Sequence, residues 1–149
     1  MKKAFTIAEL LIVACIIGIL AAMVVPMVQN HSTEARQATA RDNLRVLRST
    51  IELYAANHTG ISPGYKNNNR SNAPTHDDFL DQTTVQERYM KNMPENPFNN
   101  LSTMLVIADN EAFPIEATGD YGWIYKPSAK LIRLDWCGGD DDGVRYFDY

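Results

Sequence analysis

From Leu10 to Val28 the chain reads LLIVACIIGILAAMVVPMV, with no charged or strongly polar side chain. A helix of about 20 such residues crosses the roughly 30 Å of hydrocarbon in a bilayer, so the run predicts a membrane-spanning helix. Lys2 and Lys3 precede it, whereas Glu34 and Arg36 follow at a distance. That asymmetry places the N-terminus in the cytoplasm and the remainder outside. Beyond Pro26 the chain turns polar but keeps a helical period. Ala40, Leu44, Leu47, Ile51, Tyr54 and His58 recur at i+3 or i+4 steps on one stripe, and Arg45, Arg48 and Glu52 take another face. The pattern predicts a nearly continuous helix from Thr6 to about Asn57, ~80 Å long at 1.5 Å per residue, with its second half docked through the stripe on a head domain.

Gly60 ends this helix, and Ser62-Pro63-Gly64 followed by the polar stretch Lys66 to Asn72 predicts a surface connector. Thr75 stands three residues before Asp78 and ahead of Phe79-Leu80, the pattern of an N-cap with a reciprocating acid. A short helix over Asp77 to Arg88 follows from it. Pro94 and Pro97 cannot continue an interior helical ladder and stop it. Thr103 to Ala108, Tyr121 to Lys126 and Lys130 to Trp136 are short runs rich in aliphatic and aromatic residues, the last two flanking Pro127-Ser128-Ala129. They predict an antiparallel meander with one face against the long helix. The fold class is therefore α+β, a ladle whose handle is the N-terminal helix.

At 149 residues there is room for one compact head and an anchor, not for a large multi-domain enzyme. A formal charge of −4 and a pI near 5.3 argue against a phosphate-gripping surface, so no nucleic-acid partner is expected. Cys15 lies in the apolar run and Cys137 near the polar C-terminus, which places their thiols in different phases and disfavours a bond between them. His31, His58 and His76 show no metal-ligand spacing. No GxSxG, P-loop or redox motif is present to serve a membrane-tethered hydrolase or binding module, the reading from another class.

Glu9 is the informative residue. A carboxylate at the mouth of an apolar segment costs on the order of 2 to 3 kcal/mol unless it snorkels to the interface or meets a partner. A secretory signal peptide would have a shorter apolar region ending in a small-residue site, which Leu20-Ala21-Ala22 fits poorly. Ile12-Val13-Ala14-Cys15 has the look of a lipobox, yet the apolar run continues past Cys15, where a lipid would make it redundant as an anchor. Neither alternative accounts for Glu9.

The stretch Lys3-Ala4-Phe5-Thr6-Ile7-Ala8-Glu9-Leu10-Leu11-Ile12-Val13 resembles the type III signal of type IV pilins and of type II secretion pseudopilins. In that family a short basic leader and a small residue precede Phe-Thr-x-x-Glu and an apolar helix. The resemblance implies that a prepilin peptidase cuts between Ala4 and Phe5 on the cytoplasmic side and methylates the new amine of Phe5, leaving the apolar run on the mature protein. Ala4 departs from the glycine found there in most members. Gly18 and Pro26 stand where the family helix carries a glycine and a helix-breaking proline, and the resemblance runs well from Lys2 to about His58. Met93 to Asn100 is similar to the Pro-x-x-Pro-aromatic-x-Asn segment of the major pseudopilin. The implied organisation is a leader over residues 1–4, a transmembrane and polymerisation half-helix over 5–28, and a soluble head over 29–149.

The tail concentrates Asp140, Asp141 and Asp142 in a glycine-rich turn, and oxygen-rich turns are how Ca²⁺ is held. The expectation of calcium on these three residues rests mainly on the resemblance, since relatives bind it in a C-terminal loop. The resemblance further implies a non-enzymatic, structural role. The subunit is expected in the inner membrane with its head in the periplasm, then in a pseudopilus for protein export built from copies of itself, with prepilin peptidase, minor pseudopilins and an inner-membrane assembly platform as partners. Phe5, Glu9, Gly18 and Pro26 are the expected assembly residues. The alternative within the same superfamily is a surface type IV pilin for adhesion, twitching or DNA uptake. Many such pilins close a C-terminal loop with a disulfide, and the head here has Cys137 alone.

Overall fold

A single helix, α1 (Ile7–Asn57), opens the computed structural model, which describes residues 6–85 and 88–149, the side chains of 23–31 excepted. The chain divides into two compact units, Met1–Arg36 and Gln37–Tyr149. In the first, the apolar side chains Ile7, Leu10, Leu11, Ile12, Ile16, Ile17, Ile19 and Leu20 are all exposed. Among the described residues no helix is long and apolar enough to cross a membrane. The expected span, Leu10 to Val28, runs into residues 23–31, whose side chains lie outside those described.

The second unit is built around the α1 stripe read from the sequence. Ala40, Leu44, Leu47, Ile51 and Tyr54 are buried, and His58 stacks on Tyr54 with ring centroids 3.9 Å apart. The helix closes where Gly60, at φ +83°, donates its N–H to the carbonyl of Ala55 at 2.8 Å, a left-handed ending that a residue with a Cβ adopts only under strain. Helix α2 (His76–Thr84) begins on Thr75, whose Oγ1 accepts from Asp78 N at 3.1 Å while donating to the Asp78 carboxylate at 2.5 Å. It ends four residues before the expected Arg88, because Val85, at φ −59° and ψ 127°, leaves the helical region.

The connector between the helices departs from expectation. Ser62, Pro63, Gly64 and Tyr65 are buried rather than on the surface. Gln82 of α2 makes this tolerable by supplying partners to the buried backbone: its carbonyl accepts from Gly64 N at 2.7 Å and its amide donates to Tyr65 O at 2.6 Å. Tyr125 donates to the carbonyl of Pro63 at 3.1 Å.

Three strands form the sheet in the order β1 (Met104–Val106), β2 (Trp123–Lys126), β3 (Leu131–Leu134). Only half of the expected antiparallel meander is present. β2 and β3 are antiparallel, with Trp123 opposite Leu134 and Tyr125 opposite Ile132, but β1 and β2 are parallel, with Met104 beside Trp123. The connections explain the difference. Pro127–Ala129 and Lys130, at φ +51°, make a tight reversal, whereas residues 107–122 are long enough to carry the chain back to the starting end of the sheet.

As the central strand, β2 is covered on both faces. Trp123 and Tyr125 join Leu44, Leu47, Ile51, Phe79, Ile132 and Leu134 in the main core, while Ile124 packs on the other face with Ile107 and Phe147. That is why the segment Trp-Ile-Tyr carries no polar alternation.

Candidate functional site

Three groups of residues bear on function. The first is the start of α1. Thr6 donates from its backbone N and from Oγ1 to Glu9 Oε2, each at 2.9 Å, and Glu9 N donates back to Thr6 Oγ1 at 3.2 Å. A helix leaves its first four N–H groups without intrahelical partners, and this reciprocal box satisfies two donors at once. Sequence reasoning weighed Glu9 as a snorkelling or paired charge and missed its capping role, although Thr-x-x-Glu is itself the capping-box pattern. Glu9 remains exposed, and so within reach of another chain. A methyl group placed on Gly18 meets nothing within 4 Å. Ala4 and Phe5 lie outside the described residues, as does the side chain of Pro26 within α1.

The second group is the segment read as similar to a pseudopilin motif. Trp123 Nε1 donates to the carbonyl of Pro94 at 2.9 Å, and Asn43 of α1 donates to that of Glu95 at 2.9 Å. Asn96 is fully buried. Its amide donates to the carbonyls of Gly122 (3.2 Å) and Asp135 (3.4 Å), and its oxygen accepts from Phe98 N at 2.9 Å. Asn99 reaches Tyr121 O at 2.8 Å. The prolines were expected to stop α2, but the helix has already ended at Thr84. Hydrogen bonds from asparagines tie this segment to α1, to the chain before β2 and to the residue after β3.

Asp135, also fully buried, completes this knot by accepting from the backbone N–H groups of Thr118 (2.6 Å), Gly119 (3.0 Å) and Tyr121 (3.0 Å), and from Thr118 Oγ1 (2.8 Å). A buried carboxylate is tolerated when its lone pairs are filled in this way. Nothing in the linear pattern around Asp135 announces the role, because its partners lie 14 to 17 residues away.

The third group is the acidic tail. Gly139 pairs with Arg145 in a β-bridge, and Gly143, at φ +80°, turns the chain between them. Asp140 Oδ2 accepts from Arg41 of α1 and from the hydroxyl of Tyr149, each at 2.7 Å, while Oδ1 accepts from the N–H groups of Asp142 (3.1 Å) and Val144 (2.9 Å). The Tyr149 hydrogen bond, the two backbone bonds and the nearby guanidinium hold the Asp140 carboxyl below the usual carboxylate range. Burial and the Asp140 contact push the Tyr149 hydroxyl up to about 12. Asp141 and Asp142 are exposed, and among the described residues no three His, Cys, Asp or Glu side chains gather as metal ligands. The residues present do not fit a calcium ion, which wants six to eight oxygens. Cys15 and Cys137 are both free and exposed, the latter's thiol donating to the Ala117 carbonyl at 3.4 Å.

Compared with known proteins, the chain is similar to the type II secretion system core protein G of Pseudomonas aeruginosa, at 23% identity over 81% of this chain and 85% of that protein. Core protein G of Aeromonas hydrophila matches at 26% identity over 96% of this chain and 90% of its own length. The prepilin peptidase-dependent protein D of Escherichia coli K12 matches at 27% over 82% and 80%. No family model and no solved structure matches the chain.

Proposed function

We propose that this pseudopilin-like chain is a structural subunit of a type II secretion pseudopilus. Prepilin peptidase cuts it between Ala4 and Phe5, the apolar run holds it in the inner membrane with its head in the periplasm, and it assembles through its N-terminal helix into a filament that supports export across the outer membrane. One observation carries the reading: a basic leader abuts Phe5-Thr6-x-x-Glu9 and an apolar run, in a chain that resembles core protein G over most of its length.

The chemistry of assembly follows from charge. Cleavage removes Lys2 and Lys3, taking the formal side-chain charge from −4 to −6, and creates an α-amine on Phe5 beside the apolar run. In a hydrocarbon-like filament core a lone cation or a lone carboxylate is costly, and joining the two offsets that desolvation. Glu9 of one subunit therefore receives the Phe5 amine of its neighbour. The pairing sets the axial register between helices, and the apolar surface from Leu10 to Val28 supplies cohesion. Gly18, with no side chain, and Pro26, with no N–H to donate, let the intervening helix loosen as the subunit leaves the bilayer.

Intact-mass analysis of the mature chain tests the processing step, and the expected product begins at methylated Phe5. A product beginning at a lipidated Cys15, or at Met23, would sink the reading. Minor pseudopilins and the inner-membrane assembly platform are the partners this role requires.

A further inference from the structure

The turn that sequence reasoning offered to calcium already contains a cation. We propose that the C-terminal turn of the head is closed by the Arg41 guanidinium in place of a metal ion, so that the fold of this turn is independent of calcium. The proposal does not depend on whether the chain polymerises.

Lone pairs decide it. An ionised carboxylate offers about four acceptor sites, two on each oxygen. At Asp140 all four are used: Asp142 N and Val144 N fill Oδ1, and Arg41 and the Tyr149 hydroxyl fill Oδ2. The Asp140 side chain is only 3% exposed, so water does not compete for these sites. Arg41 also donates from the same Nη2 to the Tyr149 hydroxyl at 2.9 Å, closing a triangle of three groups. Its guanidinium lies over the Tyr149 ring, 4.4 Å from the centroid.

A calcium ion on Asp140 would have to displace the guanidinium. It would then find Asp141 and Asp142 exposed to solvent, and among the described residues no three His, Cys, Asp or Glu side chains gather as metal ligands. A planar guanidinium suits the task, since it presents several fixed donors and does not deprotonate. The latch is reinforced nearby. Arg48 donates to the Tyr149 carbonyl, and Asp148 pairs with both Arg133 and Arg145 at 2.6 Å. Arg41 and Arg48 belong to α1 and Arg133 to β3, so the last residues of the chain are tied to two separate elements of the head.

The full chain in mild detergent, followed by tryptophan fluorescence on heating and by amide hydrogen exchange, tests the proposal. The wild-type chain should melt at the same temperature in about millimolar calcium as in a calcium chelator. Arg41→Ala should melt about 2 to 6 °C lower and should exchange the Asp142 and Val144 amides about tenfold faster or more. Arg45→Ala, which removes an exposed arginine paired with its helix neighbour Asp42, should do neither. Tyr149→Phe keeps the ring under Arg41 and deletes only the hydroxyl. It provides a second reading should Arg41→Ala fail to fold, with faster exchange confined to residues 138–149. A wild-type chain that melts higher with calcium than with chelator overturns the proposal. So does unchanged exchange of the turn in both Tyr149→Phe and any folded Arg41→Ala.

Discussion

Thr6 and Glu9 bind each other in both directions, two donors of the threonine meeting Oε2 of the glutamate while the glutamate's own N–H returns to Oγ1. In a single subunit the carboxylate is thus a helix cap, and in the proposed filament it is the acceptor of a neighbour's amine. The two roles separate by substitution. Glu9→Gln keeps an amide oxygen that accepts from Thr6 but removes the charge, so it should insert and be processed normally and yet form few or no filaments. Thr6→Ala removes the cap, at a cost of about 0.5 to 2 kcal/mol, and leaves the charge, so assembly should survive at reduced yield. Shearing and electron microscopy, with processing checked by mass, measure both. Wild-type filament yield from Glu9→Gln would reduce Glu9 to a capping residue.

Asp135 is a more severe site. Asp135→Ala strands the N–H groups of Thr118, Gly119 and Tyr121 where the carboxylate had satisfied them. Asp135 is fully buried while these donors sit on exposed or half-buried residues, so water can reach some of them, and a loss of about 1 to 3 kcal/mol is expected in urea denaturation of the full chain. A loss below about 1 kcal/mol would mean that water replaces the carboxylate at these donors.

Gly122 has no room for a side chain. A Cβ there would stand 2.1 Å from the carbonyl oxygen of Leu101 and 2.9 Å from its carbon, both backbone atoms held in place by Asn96 and Asn99. Gly122→Ala should therefore prevent a folded head from accumulating. Gly18→Ala meets nothing within 4 Å and should leave the single subunit intact, any defect appearing only on assembly. Expression level and resistance to limited proteolysis distinguish the two.

The latch has a pH signature at each end. Asp140 titrates below its ordinary 3.8 in the folded chain, so the stability it contributes is complete above that value and is lost as pH falls through the lowered one. Arg41 and Tyr149 are the side chains that face it. Tyr149 titrates at about 12 instead of 10, so its contribution is complete below pH 10 and is lost as pH rises from 10 through 12. Tyr149→Phe should flatten both limbs of a plot of melting temperature against pH, because it removes the alkaline titration and the largest of the bonds that lower Asp140, and Arg41→Ala should flatten the acid limb to a smaller extent. Acid and alkaline limbs that match the wild type in both variants would place the titrating groups elsewhere.

Local physics made much of this chain legible before any coordinates. The 3.6-residue period from Ala40 to Tyr54 determined a helix and its buried stripe, because only that spacing brings these side chains to one face. Thr75 and Asp78 determined where α2 starts, since a cap and its acid lie within one turn. The apolar runs located three strands to within a few residues, and the leader with its Phe-Thr-x-x-Glu determined the family resemblance.

What depended on partners distant along the chain was decided by the tertiary structure alone. The direction of β1 was set by the path of residues 107–122, which no local pattern reports. Burial of Ser62 to Tyr65 was permitted by Gln82, whose hydrogen bonds reach 17 and 18 residues back. The same separation governs the acidic tail. Three consecutive aspartates read locally as a site for a cation, and the cation that Asp140 meets is Arg41, 99 residues away and brought beside it only when the C-terminal segment folds onto α1.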